Sequence, residues 1–230
     1  MDPIITVKEL KNDPEIQALL RVTEVELEAL GYTEHSNRHA SIVSKWAGEV
    51  LAKLGGSEHE VYLAGIAGYL HDIGNAVNRH DHAQSGALLA YQLLVKRGMC
   101  FEDAAEIMLA IGNHDEQLGD AVSRITAALI LADKADVHKS RVRKSKIRMI
   151  KTVDTEIKDI HDRVNFAAES SHLDVDPEKR RITLDITVDL SICSVMDYFE
   201  IYFSRMSFCR KAADLLGCTF SLKINNVVLL

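Results

Sequence analysis

No run of about 18 uncharged apolar residues occurs in the 230-residue chain, so no membrane-spanning helix and no membrane partner are expected. The opening Met1-Asp2-Pro3 lacks the basic-then-apolar order of a secretion signal. Cysteine is scarce and scattered. Cys100, Cys193, Cys209 and Cys218 form no CxxC pair, which argues against both a zinc knuckle and a disulfide framework. These absences together lead us to expect a cytoplasmic protein with reduced thiols. Excess positive charge is missing too: the formal net charge is −7, so a nucleic-acid polymer is not an expected partner, although a local basic pocket remains compatible with that total. There is no internal repeat and no low-complexity segment.

What is present is ordinary globular material. Hydrophobic residues make up 47% and charged residues 27%, enough for one large domain, or one domain with a small appendage. Asp13-Pro14-Glu15 reads as a helix start, and Ile16, Leu19, Leu20, Leu27 and Leu30 as an apolar stripe that Gly31 ends. A second helix is expected from between Glu34 and Asn37 to Leu54. Its stripe Ile42, Val43, Trp46, Val50 and Leu54 extends back to His39, with His35 as the competing histidine one turn earlier. Ser57-Glu58-His59-Glu60 is a capping box that opens a third helix, through Val61, Ala64, Ile66, Ala67 and Leu70, which delivers His71-Asp72. A fourth helix starts near Asp81 or His82 and carries Leu88, Leu89, Leu93 and Leu94. A fifth, with Phe101, Ala104, Ala105, Met108 and Ile111, ends on Asn113-His114-Asp115-Glu116. A sixth is expected over 121–137, its face Val122, Ile125, Leu129 and Ala132 extending to Asp133.

The composition then shifts. Lys139, Arg141, Arg143, Lys144, Lys146, Arg148 and Lys151 crowd one segment, and a helix is expected over 153–168. Residues 181–189 alternate apolar and polar at period two, as a half-buried strand does. A helix over 195–216 ends at Gly217, and strands over 219–224 and 227–230 are joined by a tight Asn225-Asn226 turn. The expected fold is therefore mainly α, a helical bundle over 1–168 with a small C-terminal α+β appendage over 169–230.

Asp133 is the clearest anomaly, because an acid on an apolar helical stripe is costly to bury unless it is paired or coordinated. Each residue of the set His39, His71, Asp72, His82, His114 and Asp133 lies on such a face or within a turn of a helix end. The bland alternatives are a helix C-cap for His71, a hydrogen-bonded core histidine for His39, a salt bridge for Asp133 and solvent-facing helix ends for His82 and His114. Read together, they offer imidazole nitrogens and carboxylate oxygens and no thiolate. That shell suits one or two divalent ions: Mn, Fe, Co, Ni or Mg, with Zn admissible. With two ions, Asp72 is the natural bridge.

The order His39, His71-Asp72, Asp133 resembles the HD superfamily of metal-dependent phosphohydrolases. Leu70-His71-Asp72-Ile73-Gly74 matches that family's usual dyad context, and residues 130–136 resemble its last motif. His82, followed by Ser85-Gly86-Ala87, and His114 resemble the extra histidines of its binuclear subgroups. The resemblance covers about residues 35–140. It implies an HD-domain helical bundle in which His39, His71, Asp72 and Asp133 hold a first metal and His82 and His114 a second. Cyclic-di-GMP phosphodiesterases of this kind carry a second His at position 115 and a Gly-Tyr-Pro, and both are absent here. The acidic pair of the guanosine-tetraphosphate hydrolases is absent as well.

The implied activity is hydrolysis of a phosphoester or phosphoanhydride bond in a small, nucleotide-like substrate by a metal-activated water. Asp72 would hold the metal and orient the water. Lys134 would offset developing charge or be a surface cation, and Asp115 or Glu116 would be a general base or a surface acid. Lys139 and Arg141 are expected to bind substrate phosphates, while the rest of the basic run forms a solvated face. His161-Asp162 repeats the dyad letters on a polar helix and reads as coincidence. The alternatives are a non-catalytic metal or nucleotide sensor and a di-iron oxygenase on the same scaffold. A homodimer is left open.

Overall fold

The computed structural model describes residues 5–34, 37–143 and 160–229. Helices α1 (Val7–Asn12) and α2 (Pro14–Ala29) are followed by α3 (Asn37–Lys53), α4 (Glu58–Leu70), α5 (His82–Lys96), α6 (Phe101–Gly112) and α7 (Arg124–Ala135). A short α8 (Ile160–Ala167) leads into β1 (Ala168–Asp176) and β2 (Arg181–Val188). The long α9 (Val195–Leu215) then carries the chain to β3 (Thr219–Ile224) and β4 (Val227–Val228). The architecture is mainly α with a small C-terminal α+β part, as expected. No helix among the described residues is long and apolar enough to cross a membrane.

Local chemistry starts the helices where the sequence places them. The Asp13 carboxylate accepts from the backbone N–H groups of Glu15 and Ile16, and Ser57 and Glu60 close a reciprocal capping box on α4. A similar box, Thr6 with Glu9, starts α1, an element that apolar periodicity did not predict. The helix expected over 121–137 is shorter than expected: Ser123 caps it by accepting from Thr126 N–H, so Val122 precedes it and is exposed. Leu30, Leu88 and Phe101 are exposed too, against expectation. On α5 the inward face is instead His82, Ala83, Gly86, Ala87, Ala90, Leu93 and Leu94, because close approach to the turn after the His-Asp dyad leaves room only for small side chains there.

Two glycines set the spacing around that dyad. α4 buries Leu63, Ala64, Ile66, Ala67, Gly68, Tyr69 and Leu70 and packs most extensively against α3. At their crossing, a Cβ on Gly68 would lie 2.7 Å from the Ser44 Cα and 2.8 Å from its backbone nitrogen. This backbone-to-backbone contact brings the start of α3 alongside the end of α4. After the dyad, Ile73–Ala76 form a 3₁₀ turn, where a Cβ on Gly74 would collide with the His82 carbonyl and the Gly86 nitrogen. The turn thus rests directly on the first turn of α5.

The sheet order is β1-β2-β3-β4, antiparallel, parallel and antiparallel in turn. β2 buries Ile182, Leu184, Ile186 and Val188 and exposes or half-exposes the residues between, as its alternation predicts. Asn225 and Asn226 both have positive φ, 48° and 67°, the conformation a two-residue hairpin turn requires. β1 was not predicted. Its sequence is mostly polar, and it forms by pairing along one edge with β2 while Ser171 Oγ donates to the Ala135 carbonyl at 2.6 Å, a case of long-range pairing overriding weak local propensity. Of the helix expected over 153–168, residues 153–159 lie outside the described set. α9 packs on α7 and β3, so Tyr198, Tyr202 and Cys209 join the same core as Leu129 and Leu131.

The Gly68 contact yields a prediction. Gly68→Ala should destabilise the fold by about 1–3 kcal/mol through overpacking. Gly65→Ala, whose new Cβ would meet nothing nearer than 3.7 Å, should be neutral or stabilise by about 0.5–1 kcal/mol. Urea unfolding midpoints of the two variants check this, and equal midpoints would refute the close-approach account.

Candidate metal centre

Six side chains from five places in the chain meet at one end of the bundle. His39 comes from the first turn of α3, His71 and Asp72 from the end of α4, and His82 from the start of α5. His114 follows α6, and Asp133 sits near the end of α7. His39 and His71 are wholly buried, and His82, His114 and Asp72 are at most 4% exposed. That burial excludes the solvent-facing reading of His82 and His114.

His39 Nε2 lies 3.3 Å from His71 Nε2, 3.3 Å from Asp133 Oδ1 and 3.6 Å from Asp72 Oδ2. His71 Nε2 lies 3.3 Å from Asp72 Oδ2 and 3.6 Å from Asp133 Oδ1. Ligands about 2.1 Å from a shared cation are about 3.0 Å apart at a right angle and about 3.4 Å apart at the tetrahedral angle. His39, His71 and Asp72 are therefore spaced to share one ion, and Asp133, with its Oδ1 close to both histidines, forms a further donor group with His71 and His114. Asp72 also reaches the other way: its Oδ1 is 3.6 Å from His82 Nε2 and accepts from Asn75 Nδ2 at 3.0 Å. Asp72, His82 and His114 form another group of donors within reach of one ion.

The back of each ring explains why the front converges. His39 Nδ1 is 2.7 Å from Asp136 Oδ2, His71 Nδ1 is 2.9 Å from the Gly68 carbonyl, His82 Nδ1 is 3.2 Å from the Arg79 carbonyl and His114 Nδ1 is 2.6 Å from the Ile111 carbonyl. These partners only accept, so each Nδ1 carries the hydrogen and each Nε2 presents a lone pair inward. The Nε2 atoms of His39 and His71 then face each other at 3.3 Å with nothing to donate, an arrangement that a cation between them relieves. The donor set fits a divalent metal.

Without a metal, a proton takes the cation's place. Burial alone would push His71 toward its neutral form, but the Asp72 and Asp133 carboxylates reverse this and raise its pKa to about 10. His114 goes the other way, lowered to about 3 by burial and by His71 and His82. Burial would raise Asp133, but Lys134, His39 and His71 hold it well below the usual carboxylate range.

Lys134 is not a surface cation. It is 6% exposed, and its Nζ sits 2.6 Å from Glu116 Oε2 and 2.7 Å from Asp133 Oδ2. Asp133 therefore turns one oxygen to Lys134 and the other to the histidines. Glu116 also accepts from Arg205 Nε at 3.2 Å, so it is held in an ion-pair network, and Asp115 is the acid of that loop that lines the space over the donors. Arg141 is buried and lines that space as well, whereas Lys139 is exposed and does not. Of the two residues expected to bind substrate phosphates, Arg141 is thus on the wall of that space and Lys139 is on the surface. His35 and the His161 side chain lie outside the described set. Asp162 is not on a solvated face: it is 4% exposed and lines a neighbouring cavity.

Three contributors were not predicted. Asp136 holds His39 and accepts from Arg38 Nη2 at 3.1 Å. Its spacing of three residues from Asp133 was the signal available in the sequence. Arg79 and Arg205 join Arg141 around the space over the donors. Nothing in the local sequence marks Arg205, because only the docking of α9 on α7 brings it there.

The HD domain family model matches residues 32–141. An uncharacterized protein of Methanocaldococcus jannaschii is 28% identical over 164 residues, 61% of this chain, and the match spans 62% of that protein's length. The crystal structure of a predicted HD superfamily hydrolase from an uncultured Thermotogales bacterium aligns over 70% of this chain and 89% of its own, with 22% identity and a TM-score of 0.42.

Two outcomes follow from the geometry. Asp136→Asn removes the carboxylate behind His39 and should weaken metal binding about 10–100-fold, read by competition with a chromophoric chelator. A metal must also displace the His71 proton. Because that pKa is raised to about 10, the protonated form dominates at neutral pH and binding releases a proton. Apparent Mn(II) affinity should accordingly rise by about tenfold per unit between about pH 7 and 8.5, with about one proton released in calorimetry. A flat profile would remove the proton from the site.

Proposed function

Residues 32–141 of this chain are an HD domain, and on that premise we propose that the protein hydrolyses a phosphoester or phosphoanhydride bond in a small molecule with the help of one or two divalent cations. The observation that carries this reading is the inward convergence of histidine lone pairs and carboxylate oxygens directly beneath a ring of arginines. A bound cation supplies neutralisation of phosphoryl charge and acidification of a coordinated water. His39, His71, Asp72 and Asp133 would hold one ion. Asp72, through its second oxygen, would hold another with His82 and His114.

The remaining roles belong to the chain's own side chains. Arg79, Arg141 and Arg205 would bind the non-bridging oxygens of the phosphoryl group, since guanidinium forks match phosphate geometry and stay charged. Offsetting of developing charge passes to them. Lys134, committed to Asp133 and Glu116, keeps Asp133 ionised and fixed. Asp115, which lines the same space, would take a proton from the attacking water. Burial of the donors excludes competing bulk water and strengthens each charged contact.

The test is turnover by chelator-stripped protein reloaded with Mn, Co, Ni, Mg or Fe(II), assayed on nucleotides and generic phosphoesters. Hydrolysis with at least one metal is expected, lowered about 10²–10³-fold in Asp72→Asn. Ion binding with no hydrolysis by any metal would overturn the reading in favour of a sensor. Oxygen consumption with Fe(II) and no hydrolysis would overturn it in favour of an oxygenase.

A further inference from the structure

Building on that reading, we propose that a second, outer chamber, walled on one side by the C-terminal part of the chain, binds the organic portion of the substrate, and that Asp162, Asn165 and Arg205 determine which phosphate ester is accepted. The chamber has a volume of about 340 Å³ and lies between the loop after α2, α8 and α9. Arg79, Arg141 and Arg205 line both this chamber and the narrow space over the metal donors. The two spaces therefore share a neck of three guanidinium groups.

Those arginines are aimed from behind. Arg205 stacks 4.9 Å over the Tyr202 ring, and Arg79 lies 5.2 Å over the Tyr32 ring while its Nη1 donates to Asn75 Oδ1 at 3.2 Å. Arg141 Nη1 donates to the Asp136 carbonyl at 2.9 Å. A phosphoryl group at the neck would meet charged donors on one side and the metal donors on the other. Its ester substituent would project into the outer chamber.

Leu30, Gly31 and Tyr32 form an exposed rim, and the α8 side of the wall is polar and buried. Asp162 and Asn165 are 4% and 5% exposed, and Asn165 Nδ2 donates to the Tyr202 hydroxyl at 2.9 Å. A carboxylate, a carboxamide and a phenol recognise hydroxyl or heterocyclic N–H groups rather than a hydrocarbon, and such placed polar groups give a site its discrimination. The volume falls near the lower end of the range for small-molecule sites, about 300–1,000 Å³, so one nucleoside-sized group fits and a polymer does not. The substrate class is thus a phosphate monoester of a small hydroxylated alcohol. In its hydrolysis water forms the new P–O bond, the ester P–O bond breaks, and the alcohol leaves through the outer chamber carrying a proton from the water. Asp162, Asn165, Tyr202 and Arg205 all lie outside residues 32–141, so this selectivity belongs to the part of the chain beyond the HD segment.

The test is calorimetric binding to the metal-loaded full chain. The probes are inorganic phosphate and the phosphonate isosteres of nucleoside 5′-monophosphates and hexose 6-phosphates, whose P–C bond resists hydrolysis. At least one isostere should bind about tenfold or more tighter than inorganic phosphate. The Asp162→Asn, Asn165→Ala double variant should lose that gain while keeping phosphate affinity within about threefold, and Arg205→Met should weaken both. If the double variant does not fold, Tyr202→Phe reads the same gain by removing only the hydroxyl. An isostere no tighter than phosphate, or a gain that survives these variants, overturns the proposal. Since binding is read without turnover, a chamber that binds in a protein hydrolysing no ester would count against the hydrolase reading and not against the chamber.

Discussion

The histidine rings of the centre are anchored from behind, and that constraint makes the site. Each Nδ1 faces an acceptor, one of them the Asp136 carboxylate and the others main-chain carbonyls at or near helix ends. The carbonyls of Gly68 and Ile111 belong to the last turns of α4 and α6, where the regular helical donors run out and a carbonyl is open to a side-chain donor; Ile111 accepts from the His114 N–H as well as from its ring. Helix termination thus orients the ligands. The lone pairs that remain point at one another, and a positive charge between them, a proton or a metal, is what makes the arrangement tolerable.

The rest of the fold serves that convergence. Gly68 lets the α3 and α4 backbones touch, and Gly74 lets the turn after the dyad rest on α5. A side chain at either position would separate donors that now lie 3.3–3.6 Å apart. α7 contributes Asp133 toward the donors, Lys134 toward Glu116, and Asp136 behind His39, so one helix end supplies a donor, the cation that fixes it and the support for another donor. α9 then packs on α7 and adds Arg205 to Glu116 from outside. The charge network runs without a break from the candidate metal donors, through Asp133, Lys134 and Glu116, to Arg205 in the C-terminal segment.

That continuity gives the α+β part a functional reading as well as a structural one. Its strands bury a common core with the bundle, β1 is tied to the end of α7 through Ser171, and its long helix carries the arginine shared by both chambers. The candidate metal donors and the α8–α9 wall of the outer chamber come from different stretches of one chain, and three arginines line both spaces.

The sequence by itself determined where α2 and α4 begin and where α3 and α9 stop, because capping carboxylates, capping boxes and glycines act over three or four residues. It also determined that His39, His71, Asp72, His82, His114 and Asp133 sit at helix ends or on inward stripes, since an ionisable group on an apolar face declares itself through its desolvation cost. Tertiary structure alone decided the identity of the arginine ring, the burial of Lys134 and Asp162, the outward turn of Lys139 and the pairing of β1. Arg79 and Arg205 are 126 positions apart in the chain and Asp162 lies between them, so no local period relates them. Their meeting depends on α9 docking against α7, a contact whose energy comes from buried area rather than from any pattern readable along the chain.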